Sequence, residues 1–290
     1  MGKSFRTATA FRTSLEERLK QTASESGVQL NLLRLKVVIE RLLARLFAAS
    51  NPPWLLKGGY AMELRYRPRA RTTKDIDLSV KTGEGVLAAR LERIRDEIQE
   101  AAEHDLGDFF VFQIGMPSSE LQGAPDGGAR FPVTALLAGR TFAKFHLDIG
   151  FGDPVSSTPE ELMGQDFLGF AGVAPAKALA IPKSQQFAEK LHAYTLPWTD
   201  RPNTRTKDLV DLVLFVTIDP PPTREIMAAV EATFSLRNTH PVPDALPLPP
   251  EAWRETFAEM AMEAQLQVAA LDAGYALVNR FWTELSQSER

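Results

Sequence analysis

The stretch from Lys57 to Val80, KGGYAMELRYRPRARTTKDIDLSV, guides the interpretation of the whole chain. It opens with Gly58 and Gly59, which follow a short apolar run and precede a predicted helix. It ends with Asp75 and Asp77, two acids separated by one residue at the start of a predicted strand. Because alternate residues of a strand face the same side, we expect both carboxylates on one face of a sheet.

The two ends of this stretch suit different parts of a nucleotide. Backbone amides at a helix N-terminus bind phosphate groups, and paired carboxylates supply the hard oxygen ligands that Mg²⁺ prefers. The arginines between them alternate with other residues, so an extended backbone would direct several guanidinium groups to one side. We predict that Arg71, the arginine nearest the aspartates, contacts phosphate. The alternatives are an ordinary glycine turn, solvated acids at a strand end and a solvated run of positive charge.

The pattern of apolar residues predicts an α/β amino-terminal half and a mainly helical carboxy-terminal half, with domains at residues 1–155 and 156–290. Ser14 and Glu17 fit a capping box, which predicts that the first helix begins there. The predicted strand from Phe142 to Phe151 alternates apolar residues with His146 and Asp148. Asp148 would join the two aspartates as a third metal ligand if its strand lies beside theirs.

Two charged residues fall within apolar helical patterns of the second half. Lys190 lies on the apolar stripe of a helix, where a lysine must either extend to water or meet an anion. Asp211 lies in the very apolar segment 207–216, where a carboxylate must be paired or hydrogen-bonded. Asp211 is either an essential acid or one member of a structural ion pair, with Lys207 or with Lys190.

Composition narrows the classes of protein to consider. The chain of 290 residues carries a formal net charge of −4 and no cysteine, so disulfides and thiolate metal sites are excluded. An overall acidic chain does not coat nucleic acid in general, because that requires clustered Lys and Arg. We expect a cytoplasmic protein, because no signal-peptide pattern or apolar run of membrane-spanning length is present.

The glycine pair, the short helix and the Asp-x-Asp strand resemble the opening motif of the polymerase-β-like nucleotidyltransferases. The Asp-x-Asp of haloacid dehalogenase phosphatases is different, because there the apolar strand precedes the first aspartate. More narrowly, four segments in order are similar to the AbiEii family of type IV toxin–antitoxin systems, which includes mycobacterial toxins that modify tRNA. These are Lys-Gly-Gly, Arg-Thr-x-Lys-Asp-x-Asp, the helix carrying Lys190 and the Asp-Leu-Val-Asp-Leu segment that contains Asp211. Tyr60 stands where the wider superfamily often has Ser or Thr after the glycines.

The resemblance implies a fold, an activity and partners. It implies a mixed sheet with flanking helices plus a carboxy-terminal helical bundle, and transfer of nucleotides from an NTP with Mg²⁺. The acceptor would be the 3′ end of tRNA, the NTP a pyrimidine such as CTP or UTP, and a cognate antitoxin would silence the toxin. The resemblance implies catalytic roles for Asp75, Asp77, Lys190 and Asp211, and contact of Lys190 with the triphosphate. The alternatives are a nucleotide-binding regulator without turnover and nucleotidylation of protein side chains.

Thr73 is a predicted regulatory residue, because it lies two residues before Asp75 and shares its face of an extended chain. A phosphoryl group there would add about −1.5 to −2 charge beside the carboxylates. The alternative is that Thr72 and Thr73 merely favour entry into the strand.

Overall fold

The computed structural model describes residues 5–81, 84–121, 123–155, 157–198 and 202–288. The chain groups into two compact units, each assembled from separate segments. The first unit contains Met1–Leu56, Lys74–Gly152 and Glu161–Ala180, and the second contains Lys57–Thr73, Asp153–Glu160 and Ile181–Arg290. The predicted division into domains at residues 1–155 and 156–290 stays a prediction.

The first unit is built on one mixed sheet of eight strands with helices packed on it. The strands run in the order β3-β5-β6-β2-β1-β8-β7, with β4 pairing to β5. Two neighbouring pairs are parallel, β2 with β6 and β1 with β8, and β5 is antiparallel to its neighbours. The strands are β1 Trp54–Lys57, β2 Ile76–Val80, β3 Phe110–Ile114, β4 Ser119–Glu120, β5 Gly128–Leu137, β6 Arg140–Phe151, β7 Glu160–Met163 and β8 Lys177–Ala180. The helices are α1 Ala8–Ser26, α2 Leu30–Leu46 and α4 Leu87–Ala102.

The first helix begins earlier than the capping box at Ser14 predicts. Thr7 is its N-cap, with an extended backbone and a hydroxyl that accepts a hydrogen bond from the Ala10 amide at 3.2 Å. The earlier start lets Phe11 join the buried face of α1 together with Leu15. The prediction failed because several candidate N-caps precede Leu15, and burial of Phe11 favours the first of them, Thr7.

A buried ion cluster lies in the first unit. Asp108 is fully buried and receives bonds at 2.6 Å from Arg41 and at 2.6 Å from Arg45, both on α2. Burial alone would raise the pKa of Asp108, but the two guanidinium groups outweigh it and the pKa lies below its usual value. Removing the acid would leave two buried cations without their partner, which is strongly destabilising.

The second unit is mainly helical. Its helices are α3 Gly58–Tyr66, α5 Lys183–Thr195, α6 Thr206–Ile218, α7 Thr223–Arg237, α8 Arg254–Glu263 and α9 Leu271–Ser288. Its core is contiguous and contains Phe187 and Leu191 of α5 together with almost every apolar residue of α6. The predicted α/β fold, a mixed sheet with flanking helices and a carboxy-terminal helical bundle, is therefore confirmed. Among the helices of the described ranges, none combines the length and the apolar character needed to cross a membrane.

Candidate active site

A row of charged side chains crosses three strands in the first unit. Asp77 on β2 stands directly opposite Asp148 on β6, and Asp148 stands opposite Arg130 on β5. Residues directly opposite one another in a sheet face the same side. Asp75 lies immediately before β2, and its carboxylate is 3.6 Å from Arg130, the residue opposite Asp148. The strands of Asp77 and Asp148 are neighbours, which is the condition on which Asp148 would join the two aspartates.

Arg130 is the main partner of this carboxylate row. Its Nε and one terminal nitrogen donate to the two oxygens of Asp148 at 2.8 and 2.7 Å, a paired geometry that is strong and specific. The same terminal nitrogen lies 3.6 Å from an oxygen of Asp75, whose other oxygen is 3.5 Å from the His146 ring. The hydrogen bonds to Asp148 raise the pKa of Arg130, and the charges of Asp148, Asp75 and Asp77 add to the effect.

The donor chemistry of the row fits a divalent cation. Asp75, Asp77 and Asp148 provide carboxylate oxygens on one sheet face, the ligand type that Mg²⁺ takes in proteins. Arg130 shows that this face attracts a cation, because its guanidinium lies against two of the three acids. Within the described ranges, however, no three His, Asp or Glu side chains stand in a geometry that already holds a metal ion. Asp148 and Asp75 face the Arg130 guanidinium instead.

The glycine turn belongs to the second unit and opens α3. Gly58 has a φ of +65°, a backbone conformation that L side chains rarely adopt, so a glycine is required there. Its carbonyl accepts a hydrogen bond of 2.6 Å from the Gln186 side chain on α5. A Cβ at Gly59 would overlap the Thr73 hydroxyl and come within 3.1 Å of an Arg71 nitrogen. The second glycine is therefore required by close packing against the segment that follows α3.

Lys190 and Asp211 meet in a buried charge network within the second unit. Lys190 on α5 lies between two acids of α6, with Nζ 2.8 Å from Asp208 and 2.7 Å from Asp211. Positions three apart on a helix share a face, which lets both acids reach one ammonium group. Arg71 completes the network with paired bonds to Asp211, 3.0 Å from Nε and 3.0 Å from a terminal nitrogen. Of the two ion-pair partners considered for Asp211, Lys190 is in contact with it, whereas Lys207 is exposed.

Electrostatics keep this network charged. Burial alone would lower the pKa of Lys190, but the charges of Asp208 and Asp211 outweigh it and raise the pKa above its usual value. Burial alone would raise the pKa of Asp211, but Lys190 and Arg71 hold the pKa below its usual range. Asp211 is therefore a carboxylate at neutral pH and accepts hydrogen bonds from both cations.

A second buried cluster surrounds the lysine that precedes the glycines. Lys57 pairs with Asp153 and lies 3.7 Å from Glu189, while Arg237 donates to Asp153 at 2.9 Å. Burial alone would lower the pKa of Lys57, but Glu189 and Asp153 raise it above its usual value. Lys57 thus anchors the start of α3 by ion pairs inside the second unit.

The structure distributes the predicted site residues between its two units. The first unit holds the carboxylate row, and the second holds the glycine turn and the Lys190 network. Thr73 also belongs to the second unit, where its amide donates to the Glu63 carboxylate at 3.1 Å and its side chain is largely buried. Arg130, which contacts Asp148, and Asp208, which contacts Lys190, are not among the site residues predicted from sequence. The alternation of β5 could have indicated Arg130, because Phe131 is buried and the residue before it must face the other side of the sheet.

The fold is similar to those of two solved structures. It superimposes on MenT4, a nucleotidyltransferase toxin from Mycobacterium tuberculosis H37Rv, with a TM-score of 0.62 and 17% identity over 93% of this chain and 89% of that chain. JHP933 from Helicobacter pylori matches with a TM-score of 0.47 and 13% identity over 90% of this chain and 97% of that chain. A search of curated protein sequences finds no match. The mixed α/β fold is thus shared with a nucleotidyltransferase toxin.

The sequence also matches a family model, that of the nucleotidyl transferase AbiEii toxin of type IV toxin–antitoxin systems, over residues 41–277. The match covers well over half of the chain, so this protein belongs to the AbiEii family. It is a nucleotidyltransferase toxin of a type IV toxin–antitoxin system, and membership implies a cognate antitoxin. The resemblance identified from the four ordered segments is confirmed.

Proposed function

We propose that this toxin transfers nucleotides from an NTP to the 3′ acceptor end of tRNA, in a reaction that depends on Mg²⁺ held by Asp75, Asp77 and Asp148. The observation that carries the proposal is the row of carboxylates on one face of the sheet. The preference for CTP or UTP rests on the resemblance to mycobacterial tRNA-modifying toxins. A nucleotide added to the acceptor end would block aminoacylation and thereby translation. The cytoplasmic location stays a prediction.

In the proposed reaction the 3′ hydroxyl of the acceptor attacks the α-phosphate of the NTP. A bond forms between that oxygen and the α-phosphorus, the bond from the α-phosphorus to the bridging oxygen breaks, pyrophosphate leaves, and the hydroxyl proton passes to solvent. Mg²⁺ would supply charge neutralisation and alignment of the phosphates. Asp75, Asp77 and Asp148 would position that charge through their carboxylate oxygens.

Other residues would bind the triphosphate. The amides that follow Gly58 and Gly59 at the start of α3 are a suitable phosphate contact, because a helix N-terminus favours negative charge. Lys190 and Arg71 are suitable cations, and both are already desolvated in the network with Asp211. A phosphate oxygen would compete with Asp211 for them, so we assign Asp211 the role of keeping both cations charged and oriented.

The experiment that tests the function incubates the purified toxin with each labelled NTP, total RNA and protein extract, with and without Mg²⁺. We expect label in RNA of tRNA size, loss of labelling without divalent cation, and loss in Asp75→Asn and Asp77→Asn. These substitutions remove charge with little change in volume. Asp96→Asn is the matched control, because Asp96 is 71% exposed and pairs only with Arg95 among the described contacts. Label in protein, or tight NTP binding without transfer, would replace the proposal with one of its two alternatives.

Silencing by the antitoxin is proposed to act at Thr73. Its hydroxyl lies 3.5 Å from a terminal nitrogen of Arg71, so a phosphoryl group there would compete with Asp211 for that guanidinium. Thr73 is largely buried, so modification requires a local opening of the segment after α3. Mass spectrometry of toxin co-expressed with its genomic neighbour tests this. An inactive toxin with unmodified Thr73 in a stable complex would establish direct blocking instead.

A further inference from the structure

Arg130 holds a position that the proposed metal chemistry does not explain. It comes from β5, a strand that carries none of the three acids, and its paired bonds occupy both oxygens of Asp148. It also reaches toward Asp75 at 3.6 Å. Three carboxylates on one sheet face would repel one another without a cation, and this guanidinium supplies that cation.

Arg130 and a divalent cation would compete for Asp148. A carboxylate offers about four lone-pair positions, and the paired bonds from Arg130 take the two that face the guanidinium. The guanidinium also places a positive charge within a few ångströms of where such a cation would bind, which opposes its entry. Metal binding is therefore stronger when Arg130 moves away.

The surroundings of Arg130 permit this movement. Its side chain is 35% exposed and that of Asp75 is 37% exposed, so the pair can separate without opening the core. A guanidinium that leaves a carboxylate can make the same paired bonds to phosphate oxygens. Arg130 thus has a second partner of suitable chemistry when a triphosphate arrives with the metal.

We propose that Arg130 is a displaceable counter-ion that occupies the carboxylate row in the resting toxin and exchanges Asp148 for a phosphate group when metal and triphosphate bind together. The inference rests on the proposed function, because it assumes that the row takes a divalent cation. Arg130 acts as a positioning residue that weakens the binding of free metal and strengthens the binding of metal with triphosphate.

The test is a pair of titrations on the full chain, by calorimetry, with Mn²⁺ alone and with Mn²⁺ plus tripolyphosphate. In Arg130→Gln we expect the dissociation constant for Mn²⁺ alone to fall about tenfold, because a nearby positive charge is lost. The dissociation constant for tripolyphosphate in the presence of Mn²⁺ should rise about tenfold, because a paired phosphate contact is lost. Arg95→Gln is the matched control, since Arg95 binds Asp96 and the Ile114 carbonyl. Both affinities should be unchanged in that variant.

The opposite direction of the two changes distinguishes this role from a purely structural one. An unchanged or weaker affinity of Arg130→Gln for Mn²⁺, or an unchanged affinity for tripolyphosphate, overturns the inference. If Arg130→Gln does not fold, Arg130→Lys carries the same test, because a lysine cannot make the paired bonds and should be displaced more easily. If wild type and Arg130→Gln bind Mn²⁺ equally and Asp75→Asn does not bind it, the inference about Arg130 is wrong and the metal assignment stands. If neither the wild type nor Arg130→Gln binds Mn²⁺, both the inference about Arg130 and the metal assignment are wrong.

Discussion

Replacing Asp211 with Asn tests the buried network most directly, because it removes one charge at almost constant volume. Asp211 is fully buried, and the side chains of Arg71 and Lys190 are only 12% and 10% exposed, so water cannot replace the lost charge. Removing one member of a buried pair costs about 3–5 kcal/mol of folding free energy. We expect a cost in this range, and a melting temperature lower by about 10 °C.

The measurement needs a probe confined to the second unit. Of the four tryptophans, Trp54 lies in the first unit, and the others lie in the second. A Trp54→Phe background therefore leaves fluorescence that reports the second unit alone. Urea unfolding of Asp211→Asn in this background gives the free energy change, and Asp208→Asn is the matched comparison. Asp208 accepts one side-chain hydrogen bond, from Lys190 at 2.8 Å, and its other ion-pair partner, Arg205, lies 3.6 Å away and is about a third exposed, so its loss should cost less.

Adding Arg71→Gln to Asp211→Asn removes one of the two cations left without their acid. If the network is as described, the double variant should be more stable than the sum of the single changes predicts, with a coupling of about 1–3 kcal/mol. An Asp211→Asn protein with an unchanged unfolding midpoint and slope would refute the buried network. Additive free energies would show that Arg71 and Asp211 do not interact.

Three further predictions concern other parts of the chain. Gly59→Ala should cost about 1–3 kcal/mol through overpacking against Thr73, and should weaken NTP binding by displacing Arg71, as thermal melts and calorimetry would show. Burial lowers the pKa of His192 to about 3, so stability should be complete above pH 6.5 and fall by up to about 1.4 kcal/mol per pH unit below it. Urea unfolding at pH 7 and pH 5 should show a smaller difference in His192→Gln. Asp108→Asn should lower the free energy of unfolding by about 3–5 kcal/mol, with unchanged activity per folded molecule.

The order of the elements and the row of acids could be predicted because both depend on local patterns. A period of two in the strand of Asp148 fixes which side chains share a face, and the Asp75 to Asp77 spacing does the same. Whether the two strands are neighbours was left open by the sequence, because strand pairing depends on tertiary structure, and the register supplies it. The helix start at Ser14 was wrong because capping residues are common and the buried face of α1 decides among them.

The partners of the acids could not be predicted, because each is set by tertiary contacts between distant segments. Several arginines alternate through the stretch before Asp75, and only the packing of that segment on α6 selects Arg71 for Asp211. The pairing of Arg130 with Asp148 is likewise set by the register of β5 against β6, which local sequence does not encode.

The arginine partners determine how variants of the two acids must be interpreted. Two of the predicted acids, Asp148 and Asp211, each accept paired bonds from one arginine, so an Asp→Asn change there removes an acid and also releases a guanidinium. Loss of activity in such a variant therefore does not by itself separate a chemical role from a structural one. Asp211→Asn with Arg71→Gln makes the separation. If stability returns and transfer does not, then Asp211 or Arg71 is required for more than folding. If Lys190 alone carries the phosphate contact, transfer should return together with stability.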